Sequence, residues 1–199
     1  QMKATFNYED WIDEKIESLK KSLLAILDKK HKIIIFTSSS DEADLIYENL
    51  RGIFLTAVVR HQILDEDETP DPNNDWRKFN SDPNTKIIIC DKRAEEGMNL
   101  QGGKKTIIHF DLPLAPNRLE QRMGRVDRYG SGDPIQTFTL LDENSQFQDL
   151  YIKVLKDSFG IFNQSVSTLQ YLIEDKFSKL REELFLVGLE ALDTLQKTL

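Results

Sequence analysis

The chain has 199 residues, of which 39% are hydrophobic and 30% charged, with 34 acidic against 26 basic side chains and a formal net charge of −8. This is enough for one domain with a substantial core plus an appendage, and no apolar run reaches the roughly 18 residues of a membrane span. A single cysteine, Cys90, excludes an internal disulfide, and the opening QMKATFNYEDW lacks the apolar core of a secretion signal, so a reducing, cytoplasmic compartment is expected.

The chain opens at Gln1 in mid-pattern, which predicts an excised piece of a longer protein. Residues 8–30 repeat apolar side chains at three-four spacing (Trp11, Ile12, Ile16, Leu19, Leu23, Ile26, Leu27), so residues 1–30 read as an N-terminal helix and linker. Ile33–Phe36 is a continuous apolar run of strand length, as expected for a central parallel strand buried on both faces. Ser40 or Asp41 then caps a helix carrying Ala43, Leu45, Ile46 and Leu50. The pattern recurs, with strands expected at Ile53–Val59, Lys86–Cys90, Lys105–Asp111 and Ile135–Leu141. Between them stand the acidic loop LDEDETPDPNND, a short helix WRKFN, and a helix APNRLEQRMG that ends near Gly124.

Strands alternating with helices predict an α/β fold, a RecA-like parallel sheet sandwiched by helices over residues 31–144. From about residue 145 the pattern turns helical and contains no proline, predicting two or three helices in a C-terminal extension over 145–199. The heptads there are not clean, so a long coiled coil is the weaker alternative.

Charge is distributed unevenly. Residues 1–85 carry eleven basic and seventeen acidic side chains, net −6; residues 86–130 carry nine and six, net +3; residues 131–199 carry six and eleven, net −5. An acidic body argues against wholesale wrapping by nucleic acid, but a local positive island is sufficient to bind phosphate. In open parallel sheets ligands lie beyond the carboxyl ends of the strands. The segments there are Thr37-Ser38-Ser39, DKRAEEGMNLQGG and DLPLAPNR, which offer small hydroxyls, glycines at Gly97, Gly102 and Gly103, and arginines.

The stretch RLEQRMGRVDRYG places arginines at 118, 122, 125 and 128. On a helix, Arg118, Arg122 and Arg125 fall roughly on one side, and one reading is a solvated face paired to Glu120, Asp127 and neighbours. The other reading uses Gly124 as the helix end, which places Arg125 and Arg128 on a turn from which a guanidinium can reach a phosphate supplied by another domain.

These residues carry a resemblance. QRMGRVDRYG resembles motif VI of superfamily-two helicases, Gln-x-x-Gly-Arg-x-x-Arg; AEEGMNLQ resembles motif V; IIIFTSS resembles motif IV; and FNSDPNTKIIICD resembles the segment leading to motif V. All stand in the family's order, and LEQRMGRVDRYG with EEGMNLQ upstream looks most like the Swi/Snf-type double-stranded-DNA translocases of the bacterial RapA-like branch. The resemblance covers roughly residues 30–142 and rests mainly on motif VI.

It implies the second of two RecA-like domains, with ATP and Mg2+ bound mainly by a preceding domain that carries the phosphate loop. Gly97-Met-Asn-Leu-Gln-Gly102-Gly103-Lys104-Lys105 is not that loop: it has an extra glycine, lacks the Ser/Thr and precedes a strand. The fragment alone is therefore expected to be inactive. Carried over, Arg125 and Arg128 match the motif VI arginines that contact the γ-phosphate, and Gln121 the glutamine supporting that site. Gly97 and Asn99 match motif V, which couples nucleotide to nucleic acid, and Glu96 has a RapA-like counterpart. Thr37 and Ser38 fall where motif IV meets the DNA backbone, with Arg93 added on charge alone. At Asp91 the family usually has a Ser or Thr on a phosphate, and a carboxylate there would repel it. The expected partners are double-stranded DNA and the preceding RecA-like domain, with no membrane. Relatives act with RNA polymerase or in DNA-directed defence, and no residue chooses between them.

The other titratable groups read as structural. His31, His61 and His109 fit no metal spacing, Cys90 has no activating histidine nearby, and Asp91 and Asp111 read as loop-capping strand-end residues rather than a catalytic pair. Two alternatives stay open on the residues alone: a dead RecA-like scaffold or binding module, and an RNA helicase domain. Intact Arg125 and Arg128 weigh against the first, and no residue reads a 2′-hydroxyl in favour of the second.

Overall fold

The computed structural model describes residues 7–27, 32–61, 76–95, 98–126, 135–142, 145–161 and 170–198. Contacts group the chain into two units, Gln1–Asp111 with Val126–Leu140, and Leu112–Arg125 with Leu141–Leu199.

The first unit is built on five parallel strands: β1 (Lys32–Phe36), β2 (Val58–Arg60), β3 (Ile87–Cys90), β4 (Lys105–His109) and β5 (Gln136–Thr139), in the order β2-β3-β1-β4-β5. β1 is central, pairing Ile33–Phe36 with Ile87–Cys90 on one side and Lys32–Phe36 with Lys105–His109 on the other. Ile33 to Phe36 and Ile87 to Cys90 are wholly buried, which is why both strands read as unbroken apolar runs rather than as alternations. β5 lies at the edge and alternates exposed and half-buried residues.

Helix α1 (Tyr8–Ile26) is capped by the Asn7 side chain, which accepts the Glu9 N–H, and buries Ile12, Ile16, Leu19 and Leu23 as one stripe. Helix α2 (Ser40–Phe54) is capped by Ser39 and buries Ala43, Ile46 and Leu50. Both stripes join Ile33, Ile35, Val58, Ile87, Ile89 and Ile108 in one core. Full burial of each such side chain stabilises by about 1.5–3 kcal/mol. Helix α3 (Trp76–Ser81) precedes β3 and buries Phe79.

Two sequence expectations are corrected here. α1 stops at Ile26 rather than 30, with Leu27 extended at ψ 113°. The strand expected at Ile53–Val59 starts only at Val58: α2 runs on through Phe54, and Leu55, at φ +50°, breaks it into a single turn of 3-10 helix. Ile53 and Leu55 are 50% and 69% exposed, so the apolar run that resembled a buried strand includes residues outside the core.

The second unit is helical: α4 (Pro116–Gly124), α5 (Gln146–Lys153) continued by a π-turn over Val154–Ser158, α6 (Gln170–Val187) and α7 (Glu190–Thr198). Proline at its first position starts α4 without loss of a helical hydrogen bond. Leu119, Tyr151, Leu155, Phe159, Phe177, Leu180 and Leu192 form its core. Tyr151 donates its hydroxyl to the Pro113 carbonyl at 2.8 Å, and burial raises its pKa well above the phenol's ordinary value. Gly188, at φ +64°, separates α6 from α7.

Candidate functional site

The parallel strands deliver Thr37–Ser39, His61, Asp91–Glu95 and Phe110–Asp111 to the same edge of the sheet, beyond the carboxyl ends of β1, β2, β3 and β4. The group at the centre of this edge is Asp91. Arg60, the last residue of β2, is 1% exposed at its side chain, and its Nη2 lies 2.8 Å from Asp91 Oδ2, which is 3% exposed. Arg60 Nε reaches Asp44 on α2 at 2.8 Å, Nη2 also reaches Ser40 Oγ at 3.2 Å, and Nη1 donates to the His61 carbonyl.

Arg93 closes the cluster from outside. Its Nη2 and Nε lie 2.8 and 3.2 Å from Asp91 Oδ2, its backbone N–H donates to Asp91 Oδ1 at 2.8 Å, and Nη2 meets Ser40 Oγ at 3.2 Å. Burial by itself would raise the Asp91 pKa, but the hydrogen bonds from Arg93 and Arg60 outweigh it and hold the carboxyl well below the usual range. The carboxylate expected to repel phosphate therefore does not face solvent; it lies beneath Arg93, whose guanidinium is 44% exposed.

The Thr37 hydroxyl and the Ser38 backbone at this edge are engaged internally. Thr37 is fully buried, and its Oγ1 donates to Glu42 Oε2 at 2.6 Å, so its side chain does not reach the surface in this conformation. The half-buried Ser38 donates its backbone N–H to Asp111 Oδ2 at 2.7 Å, a loop-capping role for that aspartate. His109 is buried in β4 and stacked on Phe36 at 6.4 Å between ring centroids, and Cys90 is buried at the end of β3. Among the described residues no three His, Cys, Asp or Glu side chains converge as a metal site.

Asn99 is not brought to this edge. Its carbonyl accepts from Asn80 Nδ2 at 2.7 Å, and Asn80 Oδ1 accepts from Lys105 Nζ at 3.2 Å, at the amino end of β4. A five-residue strand, about 16 Å at 3.3 Å per residue, separates that end from Thr37. Lys105 also donates to the carbonyls of Leu100, Gln101 and Gly102 at 2.5, 3.0 and 2.6 Å, and the turn around it requires φ +85° at Gly102 and +72° at Gly103. These two glycines thus shape a turn around an ammonium group. Burial, with the charge of nearby Lys32, lowers Lys105 to about 8.

In the second unit, α4 ends at Gly124 and Arg125 stands on the turn, its N–H donating to the Gln121 carbonyl at 3.2 Å. Arg122 is wholly buried, so the arginines of α4 do not form a uniform solvated face. Arg125 is half-buried, and its Nε is shielded from solvent without a hydrogen-bond acceptor among the described residues. Glu96, Gly97, Arg128 and the acidic loop over 65–75 lie outside the described residues.

Sequence reasoning missed Arg60 and the depth of Asp91. The available signal was a lone arginine closing the apolar strand VVR, which requires a buried counter-charge.

A family model, the helicase conserved C-terminal domain, matches residues 14–130. The chain is similar to RNA polymerase-associated protein RapA from Pseudomonas aeruginosa, 32% identical over 145 residues, covering 70% of this chain and 14% of that protein. It is also similar to the same protein from Pectobacterium atrosepticum, 32% identical over 102 residues, 51% of this chain and 10% of that one. The chain thus spans only a small fraction of the length of these curated relatives. Among solved structures, the C-terminal part of the Fun30 ATPase domain superposes with a TM-score of 0.55 at 23% identity, covering 90% of this chain and 57% of that one. The C-terminal domain of the DEAD-box protein Dbp5 gives 0.53 at 18%, covering 74% and 79%.

Proposed function

The chain belongs to the helicase conserved C-terminal domain family, and from that premise we propose that it is the C-terminal motor domain of an ATP-dependent double-stranded-DNA translocase of the Swi/Snf type. In this reading residues 31–144 form the second RecA-like domain and 145–199 a helical extension. ATP and Mg2+ are held mainly by a preceding RecA-like domain of the parent chain, and the bound nucleotide supplies the phosphoryl group to be transferred. Arg125 and Arg128 stabilise charge on that group, and Gln121 orients them.

The observation that carries the reading is Arg125 itself: it stands on the turn that ends α4, in the motif order Gln121, Gly124, Arg125, with a shielded Nε that has no acceptor among the described residues. A guanidinium nitrogen held in this way suits an anionic oxygen from outside the domain. Arg93 is the phosphate-facing cation at the sheet edge, fixed by Asp91 and ready to contact a DNA backbone. Glu96, Gly97 and Asn99 link the two functions, with Asn99 acting from the far side of the sheet, and Thr37 and Ser38 shape the edge through Glu42 and Asp111. The RapA relatives, named for their association with RNA polymerase, make that enzyme a candidate partner of the parent protein.

The test is ATP hydrolysis by the complete parent protein, alone and with duplex DNA, single-stranded DNA or RNA. Stimulation greatest with duplex DNA is expected. Stimulation by RNA alone would make the domain part of an RNA helicase, and no hydrolysis with any nucleic acid in a folded sample would make it a scaffold.

A further inference from the structure

The amino end of the sheet, away from Arg93, carries a second polar junction. Lys32 and Lys105 are register partners on β1 and β4, and both ammonium groups lie over the Phe79 ring, at 5.0 and 5.9 Å from its centroid. Lys32 donates to carbonyls at the end of α3 and just after it: Phe79, Asn80 at 3.4 Å and Asp82 at 3.0 Å. Lys105 donates to the carbonyls of Leu100, Gln101 and Gly102 in the turn before β4. Each lysine thus closes one chain segment that arrives at the base of the sheet.

The Asn80 side chain joins the two segments. Its Oδ1 accepts from Lys105 at 3.2 Å, and its Nδ2 donates to the Asn99 carbonyl at 2.7 Å. An ammonium group only donates and a carbonyl only accepts, so these partners fix which end of the amide faces which. The two bonds are unequal. Lys105 has three N–H donors for four acceptors, and Asn80 Oδ1 is the most distant of the four, so it is the surplus one. The contribution specific to Asn80 is the donor to Asn99. Asn99 is exposed between the buried Met98 and Leu100, and its Oδ1 accepts the Gln101 N–H at 3.1 Å. Its carbonyl is thus held from α3 and its amide oxygen by its own turn, which leaves Nδ2 as the donor Asn99 can offer.

We propose that Asn80 is a positioning residue for Asn99: the hydrogen bond from the end of α3 sets the main chain from which Asn99 takes part in coupling nucleotide to nucleic acid. This rests on the role given to Asn99 above. Asn80 itself touches neither nucleotide nor nucleic acid and acts through the Asn99 backbone.

The experiment is Asn80→Asp in the complete parent protein. The substitution keeps an oxygen for Lys105 but sets a carboxylate oxygen against the Asn99 carbonyl, so the two must separate. Asn80→Ala removes the donor without adding charge. ATP hydrolysis is measured without nucleic acid and with whichever of duplex DNA, single-stranded DNA or RNA stimulates the wild type most. It is read as the ratio of the stimulated to the unstimulated rate, beside the urea midpoint. Both variants are expected to lower the ratio by about threefold to tenfold, the range that one hydrogen bond controls. The urea midpoint should move by less than about 0.5 M, because Asn80 is exposed and its bond to Lys105 is surplus. In the 199-residue chain, amide exchange at Gln101 should quicken in both variants while Ile34 and Ile35 in β1 stay protected. An unchanged ratio or unchanged Gln101 exchange would each overturn the proposal. A ratio that falls only with a larger loss of midpoint would make Asn80 structural and overturn it too. Failure of the functional reading is distinguishable: the wild type itself then shows no stimulation by any nucleic acid, and the proposal falls with it.

Discussion

Replacing Asp91 by alanine tests the ionic cluster at the sheet edge. In the native protein Arg60 and Asp91 are 1% and 3% exposed at their side chains and 2.8 Å apart. Removing the carboxylate leaves the Arg60 guanidinium buried without its buried counter-charge, its ion pair to Asp44 being with a carboxylate 54% exposed, and takes from Arg93 its bonds to that carboxylate. Breaking one side of a buried pair costs about 3–5 kcal/mol, against about 5–15 kcal/mol for a whole domain. With a urea m-value of about 2 kcal/mol/M, the unfolding midpoint should fall by roughly 2 M. Both tryptophans, Trp11 and Trp76, belong to the sheet unit, so their fluorescence follows this unit alone.

The same pair predicts an acid limb. The folded-state pKa of Asp91 is depressed, so its contribution is fully present above the unfolded value of about 3.9 and is lost as pH falls through the lower folded value. Wild-type stability should therefore drop below about pH 4, and Asp91→Ala should lack that share of the drop. A double-mutant cycle with Arg60→Ala should show coupling of at least about 1 kcal/mol. A single-mutant cost under about 1 kcal/mol, or strictly additive effects, would refute the view that the cluster is a coupled buried unit.

Arg125→Ala in the complete parent protein should lower the kcat of nucleic-acid-stimulated ATP hydrolysis by about 10³-fold or more, with an unchanged urea midpoint because its Nε has no acceptor to lose among the described residues; surviving ATPase with failed folding would make Arg125 structural. Gly124→Ala should fold as well as wild type or up to about 1 kcal/mol better, since a Cβ there meets nothing within 4 Å. A fall in ATPase without loss of stability would then report an approach to the nucleotide or the preceding domain, and unchanged ATPase would show that no such approach occurs. Lys105, lowered to about 8 in the folded chain, binds fewer protons there than in the unfolded chain between pH about 8 and about 10.4, so its contribution to stability rises with pH over that window. Comparing urea midpoints of wild type and Lys105→Met at pH about 7.5 and about 9.5 isolates that rise, because Lys32 is common to both; an equal pH response in the two proteins would remove Lys105 as its source.

The sheet was legible because its central strands are buried on both faces, so IIIF and IIIC stand in the sequence as unbroken apolar runs of strand length. The end of α4 at Gly124 was legible for a local reason too, as was the motif order that placed Arg125 on a turn. These are properties of contiguous residues: periodicity, caps and apolar runs are written within one segment. The site was less legible. Arg60 and Asp91 are 31 positions apart and meet only because β2 lies beside β3. Arg122 and Arg125 stand three residues apart on similar sequence, yet one is wholly buried and the other half-buried, which helical spacing does not distinguish. Asn99 follows β3 in the chain, as Arg93 does, but is hydrogen-bonded towards the opposite end of the sheet through Asn80. The sequence by itself determined the parallel sheet, its helices and its family; tertiary structure decided which charges are buried together and which remain exposed, because strand order and desolvation act between residues that the chain keeps far apart.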